Sequence, residues 1–135
     1  MYLPQTKFLI VDDQPTMRKF VRESLARIHF MNIVEATDGQ HAITLLNESL
    51  AQGTPFQFVM ADWKMPLMTG IELLRQCRAI PAFKNLPFLL ATGEREQDQI
   101  IEAARAGVSG YLIKPLSEQK IKDAIEKIFL KNKSA

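Results

Sequence analysis

Five short apolar runs, each followed by a longer stretch of helical periodicity, leave this chain few ways to fold. The runs are Phe8-Leu9-Ile10-Val11, Ile33-Val34, Phe58-Val59-Met60-Ala61, Phe88-Leu89-Leu90-Ala91 and Tyr111-Leu112-Ile113. Most are continuous rather than alternating, as in strands buried on both faces of a parallel sheet. The stretches between them repeat at three and four residues. Met17, Phe20, Val21, Leu25 and Ile28 follow Pro15, a residue suited to a helix start. Ala42, Leu45, Leu46 and Leu50 make a second helix, and Ile71, Leu73, Leu74 and Cys77 a third after Thr69-Gly70. Ile100, Ile101 and Ala104 mark a fourth that stops at Gly107, and Ile121, Ala124, Ile125, Ile128 and Phe129 a fifth. Strict strand–helix alternation predicts a doubly wound α/β domain with a five-stranded parallel sheet and helices on both faces. Ligands of such sheets bind beyond the carboxyl ends of the strands.

Polar residues gather at those ends. Strand one ends in Asp12-Asp13, strand three in Asp62, strand four in Thr92 and strand five in Lys114. A single Asp after a strand is usually a turn former or helix cap, and Asp13 ahead of Pro15 fits that role. The joint occurrence at four strand ends does not. Three carboxylates brought together repel, which raises a pKa or recruits a cation. Carboxylate oxygens suit Mg²⁺, and no Cys or His cluster competes for a softer metal. His29 and His41 lie in helical patterns away from the strand ends, as surface or boundary residues. Bound Mg²⁺ would neutralise charge on a phosphoryl group that Asp62 attacks, with Lys114 and the Thr92 hydroxyl serving the phosphate oxygens.

Composition sets the class. Hydrophobic residues make up 47% and charged residues 24%, the values of a folded globular chain. Net charge is +2, from 17 basic and 15 acidic residues, too balanced to argue for nucleic-acid or membrane binding. Lys120, Lys122, Lys127 and Lys131 read as the solvated face and C-terminal end of an amphipathic helix. The start of the chain is not patterned as a signal peptide, and no apolar run approaches the roughly 20 residues of a membrane span. Cys77 is the single cysteine, read as a small core residue in a cytoplasmic protein.

Val11-Asp12-Asp13, Asp62-Trp63-Lys64-Met65-Pro66, Thr92 and Gly110-Tyr111-Leu112-Ile113-Lys114-Pro115 together resemble the signature blocks of CheY-like receiver domains. The resemblance covers roughly residues 5–131 and implies a flavodoxin-like (βα)5 fold with strand order 2-1-3-4-5, as one receiver domain over 1–135 without an output domain. It implies that Asp62 is the phosphoacceptor. Asp13 and Asp62 would ligate Mg²⁺ directly, Asp12 mainly through water, and Lys64 through its backbone carbonyl. Thr92 would move toward the phosphoryl group, Tyr111 would rotate inward behind it, and Lys114 would bridge the phosphate and the acidic pair. The Lys114–Pro115 bond would be cis. The implied partners are a histidine kinase as phosphodonor and, through helix four, strand five and helix five of a monomer, the flagellar motor switch protein and a phosphatase.

Within that family the chain most resembles the chemotaxis regulators, with three departures. Lys64 replaces a common Asn, and its pairing with Glu94 across the site would shield the acyl phosphate and slow dephosphorylation. Gly93 replaces Ala, loosening the loop into helix four. Helix four opens Arg95-Glu96-Gln97-Asp98 where motor-binding members tend to carry lysines. The last departure leaves two outputs open, motor control and service as a phosphate sink or relay. An aspartate-nucleophile phosphohydrolase is disfavoured because the Asp12-Asp13 pair is adjacent and no segment is long enough for a substrate cap. A pseudo-receiver is disfavoured because no acidic or acceptor residue is missing. Self-modification from small phosphodonors would not make the chain an enzyme.

Overall fold

The structure, a computed structural model, describes residues 4–93 and 97–134. Its elements alternate as expected: β1 (Phe8–Val11), α1 (Pro15–Arg27), β2 (Ile33–Ala36), α2 (Gly39–Ala51), β3 (Phe58–Asp62), α3 (Gly70–Ala79), β4 (Phe88–Thr92), α4 (Gln97–Arg105), β5 (Gly110–Ile113) and α5 (Glu118–Ser134). A 3₁₀ turn at Pro81–Phe83 follows α3. The five strands are parallel in the order β2-β1-β3-β4-β5.

The continuous apolar runs have a direct explanation in the pleat. Successive side chains of a strand point to opposite faces. Leu9, Val11, Val59, Ala61, Phe88 and Leu90 therefore join one core with Leu46 of α2, Leu74 of α3 and Ala103 of α4. Their neighbours Phe8, Ile10, Phe58, Met60, Leu89 and Ala91 join the other, with Val21 and Leu25 of α1 and Ile121, Ile125 and Ile128 of α5. Each large side chain removed from water contributes about 1.5–3 kcal/mol, so both faces stabilise the sheet. Cys77 is fully buried in the first core, as expected, and burial pushes its thiol up to about 12.

Local chemistry sets the helix ends. Pro15 opens α1, with its fixed φ and missing donor at a position that tolerates both. Gly107 closes α4 as anticipated: its φ is +86°, and the N–H groups of Gly107 and Val108 return to the carbonyls of Ala104 and Ala103. His29 closes α1 in the same way at φ +74°, so it stands just past the helix rather than within it. At α3, Thr69 and Glu72 form a reciprocal capping box.

One helical face differs from expectation. In α4 the residue that seats on the sheet is Ala103, whereas Ile100 and Ile101 are 43% and 40% exposed and Ala104 is exposed. A small residue lets α4 approach the sheet, and the two isoleucines diverge into grooves on either side of it. Phe20 of α1 is likewise exposed rather than core. Among the described residues no helix is long and apolar enough to cross a membrane.

Candidate functional site

The carboxyl ends of β1, β3, β4 and β5 meet at one edge, and each presents a polar group there. Backbone ladders fix their register. Asp12 N–H bonds the Ala36 carbonyl at 3.2 Å, Trp63 N–H the Ala91 carbonyl at 2.8 Å and Lys114 N–H the Thr92 carbonyl at 2.7 Å. The carboxylates of Asp12, Asp13 and Asp62 offer oxygens all within 4.8 Å of one another. Asp12 and Asp62 are buried and Asp13 is exposed. Lys114 Nζ lies 3.1 Å from Asp62 Oδ1. The Lys114–Pro115 bond is cis, as expected.

Crowding acts on protonation. Burial first, and the charges of Asp62 and Asp13 in addition, raise Asp12 to about 6, while the Gln14 N–H bonded to its Oδ1 at 2.9 Å and the Lys114 ammonium oppose the rise. A buried carboxylate with a raised pKa beside two others is an oxygen-rich site short of positive charge. That donor set fits a hard divalent cation such as Mg²⁺.

The remaining expected residues fall around this cluster. Thr92 is buried, and its hydroxyl donates to Gln99 Oε1 of α4 at 3.5 Å, at the limit of a hydrogen bond. Tyr111 is half-buried, its ring edge-on to Trp63 with centroids 6.4 Å apart. Lys64 is exposed on the loop after β3. Glu94, Arg95 and Glu96 lie outside the described residues. Both histidines are exposed; His41 stands near the start of α2, where its Nδ1 accepts from the Thr37 N–H at 3.2 Å.

The structure also brings in residues that the motifs do not single out. Arg18 donates from Nη1 to the Asp12 carbonyl at 2.7 Å and from Nε to Glu35 of β2 at 3.0 Å, and Arg22 holds the other Glu35 oxygen at 2.8 Å. This network anchors the backbone of the acidic pair. Gly70 returns the β3–α3 loop to its start, its N–H bonding the Trp63 carbonyl at 2.9 Å, and a Cβ there would run into the Asp62 carbonyl oxygen. No local pattern could reveal Arg18, because its partners lie just after β1 and on β2. The Thr69-x-x-Glu72 box was legible as a helix start.

Away from the site, α4, β5 and α5 frame a groove of about 590 Å³ lined by Ile100, Ala104, Tyr111, Lys120, Asp123 and Lys127, among others. Tyr111 reaches both this groove and the site, through its contact with Trp63.

Comparison with known proteins places these features in context. The family model of the response regulator receiver domain matches residues 8–126. Chemotaxis protein CheY of Pseudomonas aeruginosa is 49% identical over 123 residues, 91% of this chain and 95% of that protein. Chemotaxis protein CheY-3 of Vibrio cholerae is 46% identical over 123 residues, 91% of each. Among solved structures, chemotaxis protein CheY4 of Vibrio cholerae aligns with a TM-score of 0.81 at 27% identity, covering 92% of this chain and 98% of that one.

Proposed function

This chain belongs to the response regulator receiver domain family, and from that premise we propose that it is a phosphorylation-activated regulator of two-component signalling, taking a phosphoryl group on Asp62 from a histidine kinase. One observation carries the reading above the others. A buried Asp62 carboxylate is paired with Lys114 at 3.1 Å inside a cluster of three carboxylates. Such a group is a nucleophile with its phosphate counter-charge already in place.

Asp13 and Asp62 would hold Mg²⁺ directly, Asp12 through water and Lys64 through its backbone carbonyl, and the ion would supply neutralisation of phosphoryl charge. A carboxylate oxygen of Asp62 attacks phosphorus. The new O–P bond forms as the N–P bond to the donor imidazole breaks, and that imidazole keeps the electron pair and takes up a proton. Lys114 turns from the carboxylate to a phosphoryl oxygen. Thr92 exchanges its long bond to Gln99 for one to another phosphoryl oxygen, releasing the start of α4 from that bond. Tyr111, in contact with Trp63, carries the change to the α4–β5–α5 groove.

Output is then partner binding, by a shift between two populations that phosphate and partner both bias. Chemotaxis names on relatives at 49% and 46% identity support the flagellar motor switch protein as that partner. A phosphatase would act at the same phosphoryl group. The test uses the protein with Mg²⁺ and beryllofluoride, a phosphoryl mimic, with Trp63 fluorescence reporting activation. Tighter binding of the switch protein's N-terminal peptide after activation is expected. Activation without peptide binding would leave the receiver chemistry standing and replace motor control with a sink or relay role.

A further inference from the structure

Leu67 occupies a costly position. Its φ is +69°, and the Met68 N–H bonds the Pro66 carbonyl at 2.7 Å, so Leu67 is the centre of a three-residue γ-turn. That turn is rare and strained for any side chain bearing a Cβ, and a glycine or asparagine would sit in it at lower cost. Leu67 is also 94% exposed, so its isobutyl group gains nothing from burial. Strain and full exposure together act against the folded chain, and strained residues concentrate where a surface does work for a partner.

Its place in the fold indicates which partner. The loop leaves β3 at Asp62 and is tied back at Gly70, whose backbone closes on Asp62, so Leu67 stands on the loop that runs out from the phosphoacceptor and returns to it. Behind it, Met68 packs against Gly39 at the start of α2, which supports the loop from below. Among the described residues, the other large exposed apolar side chains lie elsewhere. Phe20 is on α1, Met31 before β2, Ile100 and Ile101 on α4 and Leu130 on α5. Asp62 is only 6% exposed. A macromolecular donor must bring phosphorus within bonding distance of that recessed carboxylate, so its surface has to cover the surrounding loops. A small phosphodonor does not.

We propose that Leu67 is the apolar anchor by which the phosphohistidine-bearing surface of the kinase docks over Asp62. The inference rests on the receiver reading above and adds to it the residue that distinguishes a protein donor from a small one. Burying one leucine at such an interface is worth about tenfold or more in affinity.

The test compares the unsubstituted protein with Leu67→Asn and Leu67→Met. Two donors are used, acetyl phosphate and the phosphorylated chemotaxis histidine kinase of Pseudomonas aeruginosa. Leu67→Asn should keep its acetyl phosphate rate and melt at the same or a higher temperature, since asparagine accepts the turn more readily. At subsaturating protein its transfer rate from the kinase should fall about tenfold or more, recovering as its concentration is raised. Leu67→Met should retain most of the kinase rate. Equal kinase rates for Leu67→Asn and the unsubstituted protein, or kinase transfer to neither, overturn the inference while acetyl phosphate labelling leaves the receiver reading intact. Failure of acetyl phosphate to label the folded unsubstituted protein overturns the receiver reading itself.

Discussion

The Lys114 ammonium and the Asp62 carboxylate stand 3.1 Å apart, from the ends of two strands that do not pair with each other. β4 lies between them and contributes Thr92. The lysine therefore already holds the carboxylate, and its charge would compete with a cation for that group.

Lys114→Ala should accordingly separate two functions. Mg²⁺ should bind more tightly by roughly 1 kcal/mol, because a competing charge is gone. The response to beryllofluoride should weaken, because the phosphoryl oxygens lose their cation. Trp63 fluorescence during both titrations checks this, and weaker binding of Mg²⁺ would count against the competition.

Asp12 makes the same site sensitive to pH. Its carboxyl sits at about 6 in the fold, raised chiefly by burial, against an ordinary 3.8. The folded chain binds that proton more readily than the unfolded one, so stability without metal falls as pH rises from about 4 to about 6. Mg²⁺ needs the ionised form, so its affinity should rise with pH up to about 6 and level off above it. Magnesium titrations from about pH 5 to about pH 7.5 measure the slope, and a flat affinity would contradict the raised value.

Ser24 gives a prediction about stability. It is fully buried in α1, and its hydroxyl has no hydrogen-bond partner among the described residues. Ser24→Ala removes the desolvation cost and adds helix propensity, so it should stabilise the fold by about 1 kcal/mol. Urea denaturation measures the change; a destabilised variant would mean that the hydroxyl is satisfied.

Lys64 bears on phosphate lifetime. It is exposed two residues beyond Asp62, the proposed acceptor, where its long side chain would cover an acyl phosphate against water. Lys64→Asn is expected to shorten the lifetime of the phosphorylated protein several-fold at unchanged Mg²⁺ affinity. Decay of the labelled protein after removal of the donor is the readout, and an unchanged lifetime would dismiss the shield.

These expectations draw unequally on sequence. The strands were legible because each run is short, continuous and bounded, and a parallel sheet buries both faces. Asp12, Asp13, Asp62, Thr92 and Lys114 were legible because they follow those runs directly. The bearing of α4 was not, since Ile100 and Ile101 satisfy helical spacing as well as Ala103 does, and only packing chose the small residue. Arg18 and Gln99 were hidden for a different reason. Each acts on a residue of another element, Arg18 on the Asp12 carbonyl and Gln99 on the Thr92 hydroxyl, and no local pattern reports such pairs. The turn at Leu67 was hidden too, because leucine gives no sign of a positive φ.

Phosphoryl transfer to Asp62 underlies every role proposed for the residues around it. Intact-mass measurement after incubation with acetyl phosphate and Mg²⁺, with Asp62→Asn in parallel, tests it most directly. One added phosphoryl group is expected on the unsubstituted protein, lost when Mg²⁺ is chelated beforehand, and none on Asp62→Asn. Equal labelling of Asp62→Asn, or no labelling of the folded unsubstituted protein, would contradict it.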